Sequence, residues 1–179
     1  MVSAQSTTPS PSATRPFFAE GRSCAECVLL AADLPAGPER DTLLAAVRGL
    51  GAGRAVTCAA MIAGLMALGV WGPAGKARGR PMNDLLDSYL PPGSPGSSPV
   101  QDMAAPEEFR NRFEAVARVY NRGTTCAGLS RIDWDRHDAA GAPAGYPPHI
   151  CVRLADAAVE ELNRLIARGR QTAKQTPAP

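Results

Sequence analysis

Residues 55–71 read Ala-Val-Thr-Cys-Ala-Ala-Met-Ile-Ala-Gly-Leu-Met-Ala-Leu-Gly-Val-Trp, with no charge among them. A helix that is apolar all round belongs either at the centre of a bundle or in a membrane. At about 1.5 Å per residue this stretch reaches about 25 Å, short of the roughly 30 Å hydrocarbon core of a bilayer. Its small residues, Ala59, Ala63, Gly64 and Ala67, let neighbouring helices approach closely. The expectation is a mainly α fold: a small irregular helical bundle built around this one apolar central helix, with no membrane partner.

Working outward, Ser23 and Glu26 have the Ser-x-x-Glu spacing of a capping box, so a helix starts there. Cys24, Cys27, Val28 and Ala31 fall on one face of it, and Pro35 ends it. Pro38 suits a first helical position, and Glu39 and Asp41 suit the positive end of a helix dipole. Leu43, Leu44, Val47 and Leu50 form the buried stripe of that second helix, before Gly49, Gly51 and Gly53 break it. Beyond the central helix, residues 72–80 make a basic, Gly-rich loop, and a short helix over 82–90 turns Leu85, Leu86 and Tyr89 inward.

Residues 91–105, rich in Pro, Gly and Ser, read as a flexible linker. A strongly amphipathic helix then starts at Pro106, with Phe109, Phe113, Val116 and Tyr120 on its inner face. Glu108 to Arg112 and Glu114 to Arg118 are i,i+4 ion pairs on its outer face. Residues 124–149 read as irregular, residues 150–154 as a short strand, and residues 156–168 as a last helix ended by Gly169. The chain is thus a single domain over 17–169, with disordered tails at 1–16 and 170–179.

The 179 residues carry a net charge of only +2, too little to argue for nucleic acid. The excess is local: no acidic residue stands between Asp41 and Asp84, where Arg48, Arg54, Lys76, Arg78 and Arg80 fall. Five cysteines without a dense framework, and a first stretch lacking an apolar signal core, indicate reduced thiols in the cytoplasm.

Chemistry has few places to reside. Cys24 and Cys27 have redox-motif spacing, but no strand precedes them and Glu26 lies between them, so they read as packing residues. Cys126, His137, His149 and Cys151 are ligand types suited to zinc, although they lack the paired knuckles of a finger. A strand at 150–154 would turn His149 and Cys151 to one side. The same stretch could build a triad, with Cys126 as nucleophile, His137 or His149 as base, and Asp133, Asp135 or Asp138 as its orienter; Cys126, His137 and Asp138 are the leading set. Residues 72–80 fail as a phosphate loop, because the glycine spacing is one too long and Ala77 replaces the hydroxyl. Residues 149–166 resemble half of a ribbon–helix–helix DNA binder whose second helix is missing.

The leading expectation is a non-catalytic accessory or effector protein that binds another protein and needs no cofactor. A thiol- or zinc-dependent enzyme using residues 126–151 comes second, and a DNA-binding regulator third. Cys24, Cys27, Cys58 and Cys151 are expected to be buried and Cys126 accessible.

Overall fold

A computed structural model describes residues 11–50, 57–72, 104–119, 124–130 and 149–175. Among them the chain forms seven α-helices and one 3-10 turn: α1 (Arg15–Ala19), α2 (Cys24–Ala31), α3 (Pro38–Val47) with the turn Arg48–Leu50, α4 (Ala59–Trp71), α5 (Ala104–Val119), α6 (Cys126–Ser130) and α7 (His149–Gln175). These residues contain no strand, only an isolated antiparallel bridge between Thr57 and Thr125. The mainly helical bundle expected from the sequence is the fold. The basic loop at 73–80, the helix at 82–90 and most of the Pro/Gly/Ser-rich linker lie outside the described residues.

Helix α4 packs against α2, α5 and α7, and α2 and α5 each pack on α7. It buries Ala59, Ala60, Met61, Ala63, Gly64, Ala67, Leu68 and Trp71, whereas Ile62, Leu65, Met66 and Val70 are half-buried and Gly69 is exposed. The apolar stretch therefore supplies one deeply buried face rather than a core on all sides. Helix α2 is just as enclosed, since all six residues from Cys24 to Leu29 are buried. The expected capping box is present: Ser23 accepts from the Glu26 N–H, and the Glu26 carboxylate accepts from the Ser23 N–H at 3.0 Å.

The last helix corrects the sequence reading at both ends. Residues 150–154 are helical, and α7 runs 27 residues from His149 to Gln175. Its buried positions, Cys151, Leu154, Ala155, Ala158, Val159, Leu162, Leu165 and Ile166, repeat at i, i+3, i+4 and i+7 without interruption. That period outweighs the brief alternation around Ile150 and Val152. Gly169 costs about 1 kcal/mol in a helix interior and is carried through, so residues 170–175 belong to the helix instead of a tail. Helix α5 likewise starts two residues earlier than Pro106, with Ala105 buried.

At the other end, Thr14 is completely buried, and its N–H and hydroxyl both donate to the Asp156 carboxylate, at 3.0 and 2.7 Å. Phe18 of α1 is buried too, so packing begins within the stretch expected to be tail. Asp156→Ala is expected to cost about 1–3 kcal/mol, because it strands two buried donors; urea unfolding monitored by circular dichroism reads this directly.

On the surface, the Glu108–Arg112 and Glu114–Arg118 pairs are present at 3.7 and 3.4 Å. The stronger partners of Glu108 lie across the interface, on α7: Arg164 and Arg168 both bind its carboxylate, and Arg164 also binds Glu161. These arginines hold the Glu108 carboxyl down at about 2, well below the usual range. The clasp on α5 is present above an ordinary glutamate pKa of roughly 4.3 and is lost as pH falls towards 2.

Candidate functional site

Four cysteines that lie far apart in sequence meet at the starts of four helices. Cys24 is the first residue of α2, Cys58 precedes the first residue of α4, Cys126 opens α6, and Cys151 is the third residue of α7. Main-chain geometry accounts for part of the gathering. The Cys58 N–H donates to the Thr124 carbonyl at 2.8 Å, and Thr57 pairs with Thr125, which brings Cys58 beside Cys126. The packing of α2 on α4 and α7 brings Cys24 to Cys58 and Cys151.

Cys24 and Cys151 perturb each other, Cys24 being the first cause of the upward shift of the Cys151 thiol. Cys151 also interacts electrostatically with Cys58 and Cys126, and Cys58 with Cys24 and Cys126. Cys24, Cys58 and Cys151 are 7 to 8% exposed. Cys126 is half-buried, and none of the five cysteines is in a disulfide.

Two effects compete at these sulfurs. The positive end of a helix favours a thiolate, while burial and neighbouring thiolates disfavour it. Burial wins at Cys58: its thiol is pushed up to about 12, and the N–H groups of Ala60 and Met61 in the first turn of α4 offset only part of that. They sit too loosely to form a capping hydrogen bond to Cys58. At Cys151 the shift is also upward, caused first by the hydrogen bond with Cys24, which holds the proton, and then by burial.

Cys27 interacts with Cys24, its neighbour one turn back on α2, but its thiol makes a different contact. It is completely buried, its thiol donates to the Arg22 carbonyl at 3.7 Å, and burial followed by the Cys24 and Glu26 charges raises its pKa. The Cys24/Cys27 spacing thus separates two jobs: Cys24 joins the cluster and Cys27 packs the core.

Of the residues picked out for zinc, Cys126 and Cys151 are brought together. His149 is exposed at the first position of α7. Two residues along a helix is about 200° of rotation, so His149 and Cys151 do not share a face as they would on a strand. His137 lies outside the described residues, as do Asp138, Asp133 and Asp135, so Cys126 is the described member of the leading triad. Among the described residues no group of three His, Cys, Asp or Glu side chains is arranged to hold a metal ion. Sequence reasoning missed Cys24 and Cys58 as site residues. The available signal was that cysteines recur at helix starts, which a correct boundary at Ala59 would have exposed.

One other concavity, of about 350 Å³, lies between α3 and α4, lined by Pro38, Glu39, Thr42, Leu43, Ala46 and Val70. Val70 is twelve residues along from Cys58, about 18 Å up the helix, so this groove is separate from the thiols.

The chain matches no family model, no curated protein and no solved structure. Among the described residues no helix is long and apolar enough to cross a membrane.

Proposed function

We propose that the four-cysteine cluster is a thiol redox site, in which Cys24 and Cys151 cycle between a dithiol and a disulfide. The observation that carries this reading is the convergence of four cysteines at the starts of α2, α4, α6 and α7, through the packing of α2 on α4 and α7 and the Thr57–Thr125 bridge. Oxidation forms one S–S bond, and the two electrons and two protons lost by the thiols pass to a disulfide of another molecule, which becomes two thiols. Burial suits this pair to store electrons: a thiol that resists ionisation reacts slowly with adventitious oxidants. The product disulfide carries no charge, so the apolar surroundings that oppose the thiolates do not oppose it.

This reading develops the thiol-dependent alternative, and it retains a protein partner as the molecule that brings the disulfide. A site that works from reduced thiols fits a cytoplasmic setting. The ribbon–helix–helix reading loses its strand, because residues 150–154 are the first turns of α7.

The test is equilibration of the full chain in glutathione buffers of graded potential, with remaining thiols counted by mass spectrometry after alkylation. Two of the five thiols should disappear together in one two-electron transition. Cys24→Ser and Cys151→Ser should each abolish that transition, while Cys27→Ser should leave it in place. Five thiols that persist under every buffer, or a transition that survives Cys151→Ser, would rule the site out.

A further inference from the structure

We infer that Cys126 is the exchange thiol of this cluster, the residue that attacks an organic disulfide and passes the oxidation inward to Cys151 and Cys24. This rests on the thiol redox reading and adds the direction in which electrons leave the site. Cys24, Cys27, Cys58 and Cys151 are buried and Cys126 is half-buried. Among the described residues its chain neighbours Thr125 and Ala127 are exposed, uncharged and small. Inward, α6 packs on α7, which carries Cys151, and the Thr57–Thr125 bridge sets Cys126 beside Cys58, whereas the Cys27 thiol is turned to the Arg22 carbonyl.

The supporting frame is short and firm. Helix α6 has five residues and is anchored by buried Leu129. The Leu129 N–H donates to the Thr125 carbonyl at 3.0 Å, and the Gly128 N–H to the Thr125 hydroxyl at 3.2 Å. Together with the Thr57 bridge and the Cys58–Thr124 hydrogen bond, these contacts hold the backbone around Cys126 beside Cys58.

The steps balance. The Cys126 thiolate attacks one sulfur of the incoming disulfide, forming a mixed disulfide and releasing the first thiol. Cys151 attacks the Cys126 sulfur, breaking the mixed disulfide and releasing the second thiol. Cys24 then attacks Cys151, which leaves a Cys24–Cys151 disulfide and regenerates the Cys126 thiol. Each attacking thiol gives up its proton and each departing thiolate takes one up, three lost and three regained, so no proton is released overall.

Oxidised glutathione serves as the probe on the reduced full chain. Wild type should form the Cys24–Cys151 disulfide and release two glutathione molecules per chain. Cys126→Ser should slow that reaction by at least about tenfold, because the remaining cysteines are buried and burial holds a thiol in its unreactive protonated form. Cys151→Ser should accumulate glutathione on Cys126. Brief alkylation of wild type should label Cys126 first, a readout that needs no variant. Unchanged rates in Cys126→Ser, or a glutathione adduct on a different cysteine in Cys151→Ser, would overturn this role while leaving the redox pair intact. A wild-type chain that forms no Cys24–Cys151 disulfide would instead overturn the redox reading itself.

Discussion

Gly64→Ala is expected to destabilise the protein by about 3 kcal/mol or more, at the top of the range for overpacking a core. A Cβ on Gly64 would stand 2.0 Å from Cζ of Phe109 and 2.6 and 2.7 Å from its Cε atoms, so the tip of the ring rests on the glycine backbone. Phe109 cannot step aside easily. It is completely buried, and its ring stacks on Phe113 with centroids 6.4 Å apart. This contact lets α5 lie close against α4, and α4 in turn carries Cys58. Urea unfolding of Gly64→Ala, Phe109→Leu and the double variant provides the check. The double variant should be distinctly more stable than the sum of the single losses, because the shortened side chain makes room for the methyl. A Gly64→Ala protein within about 0.5 kcal/mol of wild type would mean the two helices are not in this contact.

The second large effect is a loss of stability at alkaline pH. Cys27, Cys58 and Cys151 all have pKa values raised above the ordinary 9.0, first by burial at Cys27 and Cys58 and first by the Cys24 hydrogen bond at Cys151. The unfolded chain releases these protons near pH 9 while the native chain keeps them. The stabilisation is therefore complete below the unfolded value and is lost as pH rises towards 12, the value at Cys58. Each such thiol removes about 1.4 kcal/mol per pH unit within that window, and three together about 4. Unfolding free energies should change little below about pH 9 and fall with that slope between about pH 9 and about pH 11, and Cys58→Ala should reduce the slope by about a third. A flat profile across the window would mean that the thiols are hydrated.

The legibility of the fold follows from how strong each local signal is. The Ser23/Glu26 box, the Phe109/Phe113 stripe and the uncharged run that ends at Trp71 are each strong local signals, and they mark α2, α5 and, over Ala59–Trp71, α4. Period without punctuation was harder to bound. Ile150, Val152 and Leu154 alternate over too few positions to distinguish a strand from the first turns of a helix, and Gly169 looks like a stop although α7 buries enough surface to run past it. The buried Thr14 was hidden for another reason: its partner Asp156 is 142 residues away, and no local pattern encodes that pairing.

The same boundary errors concealed the site. With the central helix begun at Ala55, Cys58 is an interior residue; with a strand at 150–154, Cys151 pairs with His149. Moving the boundaries to Ala59 and His149 puts a cysteine in the first turn, or at the cap, of α2, α4, α6 and α7. The meeting of those helix starts is tertiary information. It comes from the packing of α4 on α2 and α7 and from the main-chain link between Thr57 and Thr125.

The most direct measurement is a non-reducing peptide map of the full chain after oxidation with oxidised glutathione and quenching by alkylation. The account predicts one cross-linked species joining the peptide that contains Cys24 to the peptide that contains Cys151, with Cys27 alkylated only after denaturation. A Cys24–Cys27 disulfide, or Cys24 and Cys151 recovered as separate alkylated peptides, would contradict it.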